Sequence, residues 1–149
     1  MDPPSPLPHR RRWLRQLAIA PLAAALYAAA PALRAQGAAD AVSLDEARRL
    51  HEAGEAILID IREPDEHATG VAAGARLLPM SQLNRRVGEI PPAGDKPVLL
   101  ICRTQNRSAA TLRALRRHGY GHVRFVDGGM SQWARRGWPL VPPPASGGR

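Results

Sequence analysis

One cysteine, Cys102, stands in the 149 residues. An intrachain disulfide framework is thereby excluded, and so is a zinc site built on cysteines. Aromatic residues make up only 4% of the chain, too few for the stacking platforms on which single-stranded nucleic acids lie. No apolar run is convincing as a membrane span of about 20 residues. The Ala/Leu-rich stretch from Leu17 to Leu33 is shorter, is dominated by weakly hydrophobic alanine, and is interrupted by Pro21 and Pro31. Gly-rich nucleotide loops, metal-ligand spacings and flavin signatures are absent, so no cofactor and no metal are expected. His51, His67, His118 and His122 have no ligand-like spacing to further acids or thiols and read as surface residues. Asp65 and Glu66 follow Pro64 and read as a solvated turn, because adjacent carboxylates point apart.

What is present suits one globular domain: 44% hydrophobic and 23% charged residues in a chain of ordinary domain length. The net charge of +8 raises the question of a polyanionic partner. Residues 1–36 answer part of it. A Pro-rich start, the basic cluster Arg10, Arg11, Arg12 and Arg15, and the apolar stretch form the three-part layout of an export signal, with cleavage expected between about residues 35 and 39. The run His9-Arg10-Arg11-Arg12-Trp13-Leu14-Arg15 resembles the twin-arginine export motif; a Sec signal with a long basic region fits the same residues. The expected location is periplasmic, with anchoring through an uncleaved signal as the weaker alternative. Residues 1–35 hold five arginines (10, 11, 12, 15 and 34) and one acid, Asp2, which leaves 16 basic and 12 acidic residues and a charge of +4 on the remainder. A nucleic-acid role loses most of its support.

From about residue 41 the sequence alternates helical and strand patterns. Ser43, with Glu46 three residues on, forms a capping-box signature for a helix through Glu52, stopped at Gly54. Runs 57–61, 97–101 and 123–126 read as buried strands, and 75–79 as a short one. Helices are expected over 82–90 and 108–118, the latter with Ala109, Leu112 and Leu115 inward. The alternation predicts an α/β fold, an open parallel five-stranded sheet with helices on both faces, spanning 41–141. The Pro/Gly/Ser-rich tail 142–149 is expected to be loose.

The loop Cys102-Arg103-Thr104-Gln105-Asn106-Arg107-Ser108 joins the expected central strand to a helix. Ligands of open α/β sheets bind beyond the carboxyl ends of the strands. A tight turn there directs backbone N–H groups inward, and the helix behind adds the positive end of its dipole, which together cradle an anion. A thiol at the base of the cradle gains a stabilised thiolate from the amides, Arg103 and Arg107, so Cys102 is a nucleophile candidate. A strand-end cysteine alone is more often a small buried hydrophobe, but two arginines in a short turn are not explained that way.

The stretch from about Val42 to Leu140 resembles a single rhodanese-like domain. The resemblance rests on four ordered matches: Ile57 to His67, Gly70-Val71-Ala72-Ala73-Gly74-Ala75, the Cys102 to Ser108 loop, and Asp127-Gly128-Gly129 followed by Trp133 and Gly137-Trp138-Pro139. Val71 stands where that family commonly has histidine and Gln105 where glycine is frequent. Gln105 either restricts the loop, if its backbone needs a positive φ, or offers an amide to substrate. Four residues separate Cys102 from Arg107, one fewer than in tyrosine phosphatases, so the ring suits a persulfide sulfur better than a phosphate.

The resemblance implies a sulfurtransferase. Cys102 attacks the outer sulfur of thiosulfate or a similar small anionic donor, holds it as a persulfide, and passes it to a thiol, cyanide or sulfur-carrier protein. Arg103, Thr104, Gln105, Asn106, Arg107 and Ser108 form the substrate loop, with the two arginines drawing in the donor. Asp60 and Arg62, on the adjacent strand end, are expected to brace the loop. A non-catalytic module that binds a sulfur carrier is the alternative, and a cysteine-dependent phosphatase or arsenate reductase is disfavoured by loop length.

Overall fold

The computed structural model describes residues 40–145. The signal assigned to residues 1–36 and the end of the tail, 146–149, lie outside the described residues. Five strands, β1 (Ala41–Val42), β2 (Ile57–Asp60), β3 (Arg76–Leu77), β4 (Val98–Ile101) and β5 (Val123–Val126), pair in parallel in the order β1-β5-β4-β2-β3. The expected open parallel sheet is present. Its helices are α1 (Leu44–Glu52), α2 (Pro64–His67), α3 (Leu83–Arg86), α4 (Asn106–Arg117) and α5 (Gly129–Arg135).

The central strand β4 is Val-Leu-Leu-Ile with every residue buried, the pattern of a parallel strand covered on both faces. Its side chains alternate between two cores. Leu99 and Ile101 join Leu58 with Leu44 and Ala47 of α1 and Met130 and Trp133 of α5. Val98 and Leu100 join Ile59 with Leu112 and Leu115 of α4 on the other face, and Cys102 continues that row. Each such aliphatic side chain contributes about 1.5–3 kcal/mol on burial, so a one-residue slip of β4 would cost both faces at once. Trp133 and Trp138 pack edge to face at 5.1 Å, and the Trp133 indole N–H donates to the Pro139 carbonyl.

Local signals act only in part. The Ser43 hydroxyl caps α1 by accepting the Glu46 N–H at 3.3 Å. The reciprocal bond of a capping box gives way to a stronger partner, because the Glu46 carboxylate takes the Arg49 guanidinium at 2.9 Å. The helix expected over 82–90 is three short pieces: a 3-10 turn at Met80–Gln82, α3, and a 3-10 turn at Val87–Glu89. Leu83 and Val87 are only partly buried and Ile90 alone is fully so, leaving no continuous apolar stripe to hold one long helix. Helix α4 starts at Asn106, two residues ahead of the expected start. Val71 and Val141 exchange backbone hydrogen bonds of 2.9 Å in an antiparallel bridge, which ties the chain down as far as Val141.

The strand order positions the site. The chain leaves β2 toward β3 on one side and leaves β4 toward β5 on the other. A crevice opens between the carboxyl ends of these two neighbours, and Asp60 and Ile101 stand in register at its floor.

Candidate active site

Cys102 follows directly after Ile101 and is completely buried. The Ser108 N–H, in the first turn of α4, points at its Sγ at 3.4 Å, and the Ser108 hydroxyl lies at the same distance. That hydroxyl also donates to the Gln105 carbonyl at 3.0 Å. A hydroxyl has one proton, so with that proton on Gln105 the contact to sulfur has the thiol S–H as donor. Ionised, the sulfur would need the Ser108 N–H and a turned hydroxyl. The cradle is narrower than expected: among the described residues, Ser108 alone of the loop amides meets the sulfur.

The loop is held from behind by α5. The Met130 and Ser131 N–H groups donate to the carbonyls of Cys102 and Arg103 at 2.9 and 2.8 Å. This approach requires Gly129, whose φ is +58° and where a Cβ would overlap the carbonyl oxygens of Thr104 and Cys102. Gly129 thus belongs to the site as a shaping residue. The Asp-Gly-Gly run was visible in the sequence, but its contact with the loop was not. Gln105 has φ −147°, so the position does not require glycine. Its side chain makes no hydrogen bond among the described residues.

Arg107 does not stand open to a donor as expected. Its guanidinium is held by the Glu66 carboxylate through two hydrogen bonds of 2.7 and 2.6 Å. Glu66 also accepts the Glu63 N–H at 3.0 Å. Arg107 pulls the Glu66 carboxyl down from 4.5 to about 2, against the opposing effect of burial and with help from the Glu63 N–H. The same pair raises Arg107 above its ordinary range, with the Cys102 charge adding to the effect. Glu66 is thus a site residue and not part of a solvated turn. Arg103 differs: it is exposed, and its guanidinium makes no hydrogen bond or ion pair among the described residues.

Asp60 and Arg62 form a buried pair, with guanidinium-to-carboxylate bonds of 2.6, 2.9 and 3.0 Å. Arg62 also donates to the carbonyls of Glu66 at 3.2 Å and Gly70 at 2.8 Å. The bracing expected of these residues therefore falls on the 62–70 turn, and it reaches the Cys102 loop only through Glu66 and Arg107. Burial pushes the Asp60 carboxyl up, but His67 and Arg62 outweigh it and hold it below its ordinary value. His67 is a second correction: it is buried, with Nε2 3.5 Å from Asp60 and lacking a hydrogen-bond partner among the described residues. Helix α2 folds it back over the end of β2, a placement that the histidine's spacing to other ligands does not encode.

Two openings flank the loop. One, a cavity of about 380 Å³, lies against Arg62, Asp65, Arg103, Met130 and Leu140. The other, a wider mouth of about 560 Å³, is walled by Glu63, Asp65, Glu66, Arg103 and Arg107 with Thr104 and Asn106. Cys102 lines neither, because its own loop covers it.

A buried thiol at the switch point of a parallel sheet, against a helix N-terminus and a basic loop, defines a cysteine-loop α/β domain. The Rhodanese-like domain family model matches residues 43–136, and the chain belongs to that family, among the sulfurtransferases. A sulfurtransferase of Allochromatium vinosum is 39% identical over 104 residues, covering 70% of this chain and 94% of that protein. The human single-domain sulfurtransferase superposes with a TM-score of 0.57 at 27% identity, over 65% of this chain and 96% of its own. The polysulfide-sulfur transferase homodimer of Wolinella succinogenes superposes with a TM-score of 0.56 at 26% identity, over 87% of this chain and 99% of its own.

Proposed function

We propose that the protein moves sulfane sulfur from a donor to a thiol or cyanide acceptor through a persulfide on Cys102, and that it works after export. The observation that carries the chemistry is the set of contacts around the sulfur. Cys102 Sγ lies at the end of the central strand, with the N–H and hydroxyl of Ser108 at 3.4 Å and the N-terminus of α4 behind them. The Ser108 N–H would donate to a sulfur anion in this place, and the hydroxyl would do so once turned from the Gln105 carbonyl. In the first step the Cys102 thiolate attacks the outer sulfur of thiosulfate or another sulfane donor. A new S–S bond forms, the donor's S–S bond breaks, and its electron pair leaves with sulfite or a thiolate. In the second step an acceptor thiolate or cyanide takes the outer sulfur and returns the Cys102 thiolate. Dividing the transfer in this way is the advantage of covalent catalysis.

Attack requires the covering loop to open, since Cys102 is fully buried. The phosphatase alternative is further weakened by Arg107, whose guanidinium faces Glu66 and is not free to clamp a phosphate. Export is supported by the arginine cluster and apolar segment of residues 10–33. Replacing Arg10 and Arg11 by lysine should block it if the twin-arginine route is used.

The decisive measurement is the intact mass after incubation with a sulfane donor. One added sulfur on the native protein, absent in Cys102→Ser, is the expected result. A folded protein that gains no sulfur from any sulfane donor would instead be a binding module.

A further inference from the structure

The charges around the loop do not match those needed for a dianionic donor. The wide mouth carries three acids, Glu63, Asp65 and Glu66, and two arginines, Arg103 and Arg107, a formal balance of −1. One of the arginines is already spent on Glu66 through two hydrogen bonds. Glu63 is held on Ser81, accepting its N–H at 3.0 Å and its hydroxyl at 2.6 Å, so its carboxylate is fixed at the rim. Asp65 makes no hydrogen bond or ion pair among the described residues and lines both openings. Among the described residues Arg103 is therefore the one unpaired cation of this mouth, and it shares both openings with the unpaired carboxylate of Asp65.

We propose that the site selects organic hydropersulfides (R–S–SH), which carry at most one negative charge, over dianionic thiosulfate as donors, and that Glu66 sets this preference by neutralising Arg107. The inference rests on the Cys102 persulfide reading. The two donors differ in what leaves through the mouth. Attack of the Cys102 thiolate on the outer sulfur of R–S–SH forms Cys–S–SH and breaks the donor's S–S bond, and the electron pair departs on the monoanionic thiolate R–S⁻. Attack on thiosulfate leaves a persulfide anion and expels sulfite, a dianion, past Glu63 and Asp65. The Ser108 N–H and the α4 terminus still hold the charge on sulfur itself. They do not reach the departing group at the rim.

The test is the second-order rate of sulfur loading onto the full chain, followed by intact mass, with thiosulfate and with the hydropersulfide of 2-mercaptoethanol. Comparing the ratio of the two rates between variants cancels their intrinsic reactivities. Glu66→Gln should raise the thiosulfate-to-hydropersulfide ratio about tenfold, as expected for freeing one guanidinium near the reacting atoms. Asp65→Asn breaks no bond and should raise it about threefold by removing a rim charge. Added salt should raise the wild-type ratio, because rim charges are screened beyond about 10 Å at 0.1 M. If Glu66→Gln does not fold, Asp65→Asn and the salt series decide. Ratios unchanged in every arm, with loading intact, would overturn the donor preference and leave the persulfide reading standing. No loading from either donor would overturn both.

Discussion

Glu66 and Arg107 grip each other through two hydrogen bonds of 2.6 and 2.7 Å across 41 positions of sequence. Each lies six residues beyond a member of the same register pair, Asp60 on β2 and Ile101 on β4. The two strands leave the sheet side by side, and the segments after them bring a carboxylate and a guanidinium together over the buried thiol. The bond ties the 62–70 turn to the start of α4, so what braces the turn also braces the loop.

The pair should be visible in acid unfolding. Glu66 is held at about 2 by Arg107 against an ordinary 4.5. A carboxylate depressed in the folded state stabilises it fully above the unfolded value and loses that contribution as pH falls from about 4.5 through about 2. Because both side chains are partly exposed, the contribution is about 1–2 kcal/mol after screening. Urea unfolding of wild type and Glu66→Gln should differ by this amount at pH 6, with most of the gap closed by about pH 2.5. A gap that is constant across that window would mean the ion pair contributes nothing.

Asp60 should be far more costly to alter. Its carboxylate is fully buried and carries most of the Arg62 guanidinium's hydrogen bonds. Asp60→Asn leaves that buried cation uncompensated and should cost about 3 kcal/mol or more. The double variant Asp60→Asn with Arg62→Met should recover part of the loss, since it removes the stranded charge. Equal losses in the single and double variants would show that Arg62 reaches solvent and that the pair is not what holds the turn.

The sheet was legible because its evidence is local. Pro97 to Ile101 is apolar throughout and Ile57 to Ile61 is apolar but for Asp60, which only strands covered on both faces tolerate, and Cys102 falls at the end of the first. The site's charges were not legible, because their partners are set by register and turn geometry. Arg107 reads as an anion-attracting charge until the strand pairing brings Glu66 against it. His67 reads as a surface histidine until α2 folds it over Asp60. The 82–90 helix failed for a different reason, its partial burial giving no stripe to stabilise one axis. Gly129 was part of a family-like run, but only the distance to the loop carbonyls explains why that position needs glycine.

Gly129 and Gly54 offer a controlled comparison, since both have left-handed backbones, φ +58° and +69°. An alanine at Gly54 would meet open space, so Gly54→Ala should cost only the backbone strain, about 1 kcal/mol. At Gly129 the added carbon overlaps the Thr104 and Cys102 carbonyls, and Gly129→Ala should cost about 3 kcal/mol or more. Loading of sulfur should fall in Gly129→Ala even at temperatures where it remains folded, because a loop displaced from the Met130 and Ser131 N–H groups no longer holds the Ser108 N–H on the sulfur, although the thiol itself becomes easier to reach. Similar losses in the two variants, measured by thermal unfolding, would remove Gly129 from the site.

The burial of Cys102 gives a prediction about access. The residue has no exposed surface, and both openings beside it are walled by its neighbours in the loop. A small alkylating reagent can reach the sulfur only when residues 103–107 lift, so the rate in the native protein is the rate in the unfolded chain multiplied by the fraction open. Alkylation by iodoacetamide should therefore be at least about tenfold slower in buffer than in urea, an opening free energy of about 1.4 kcal/mol or more. Gly129→Ala, which pushes the loop outward, should narrow that difference. Equal rates in buffer and urea would mean that the thiol stands open in solution and that loop opening is no part of sulfur loading.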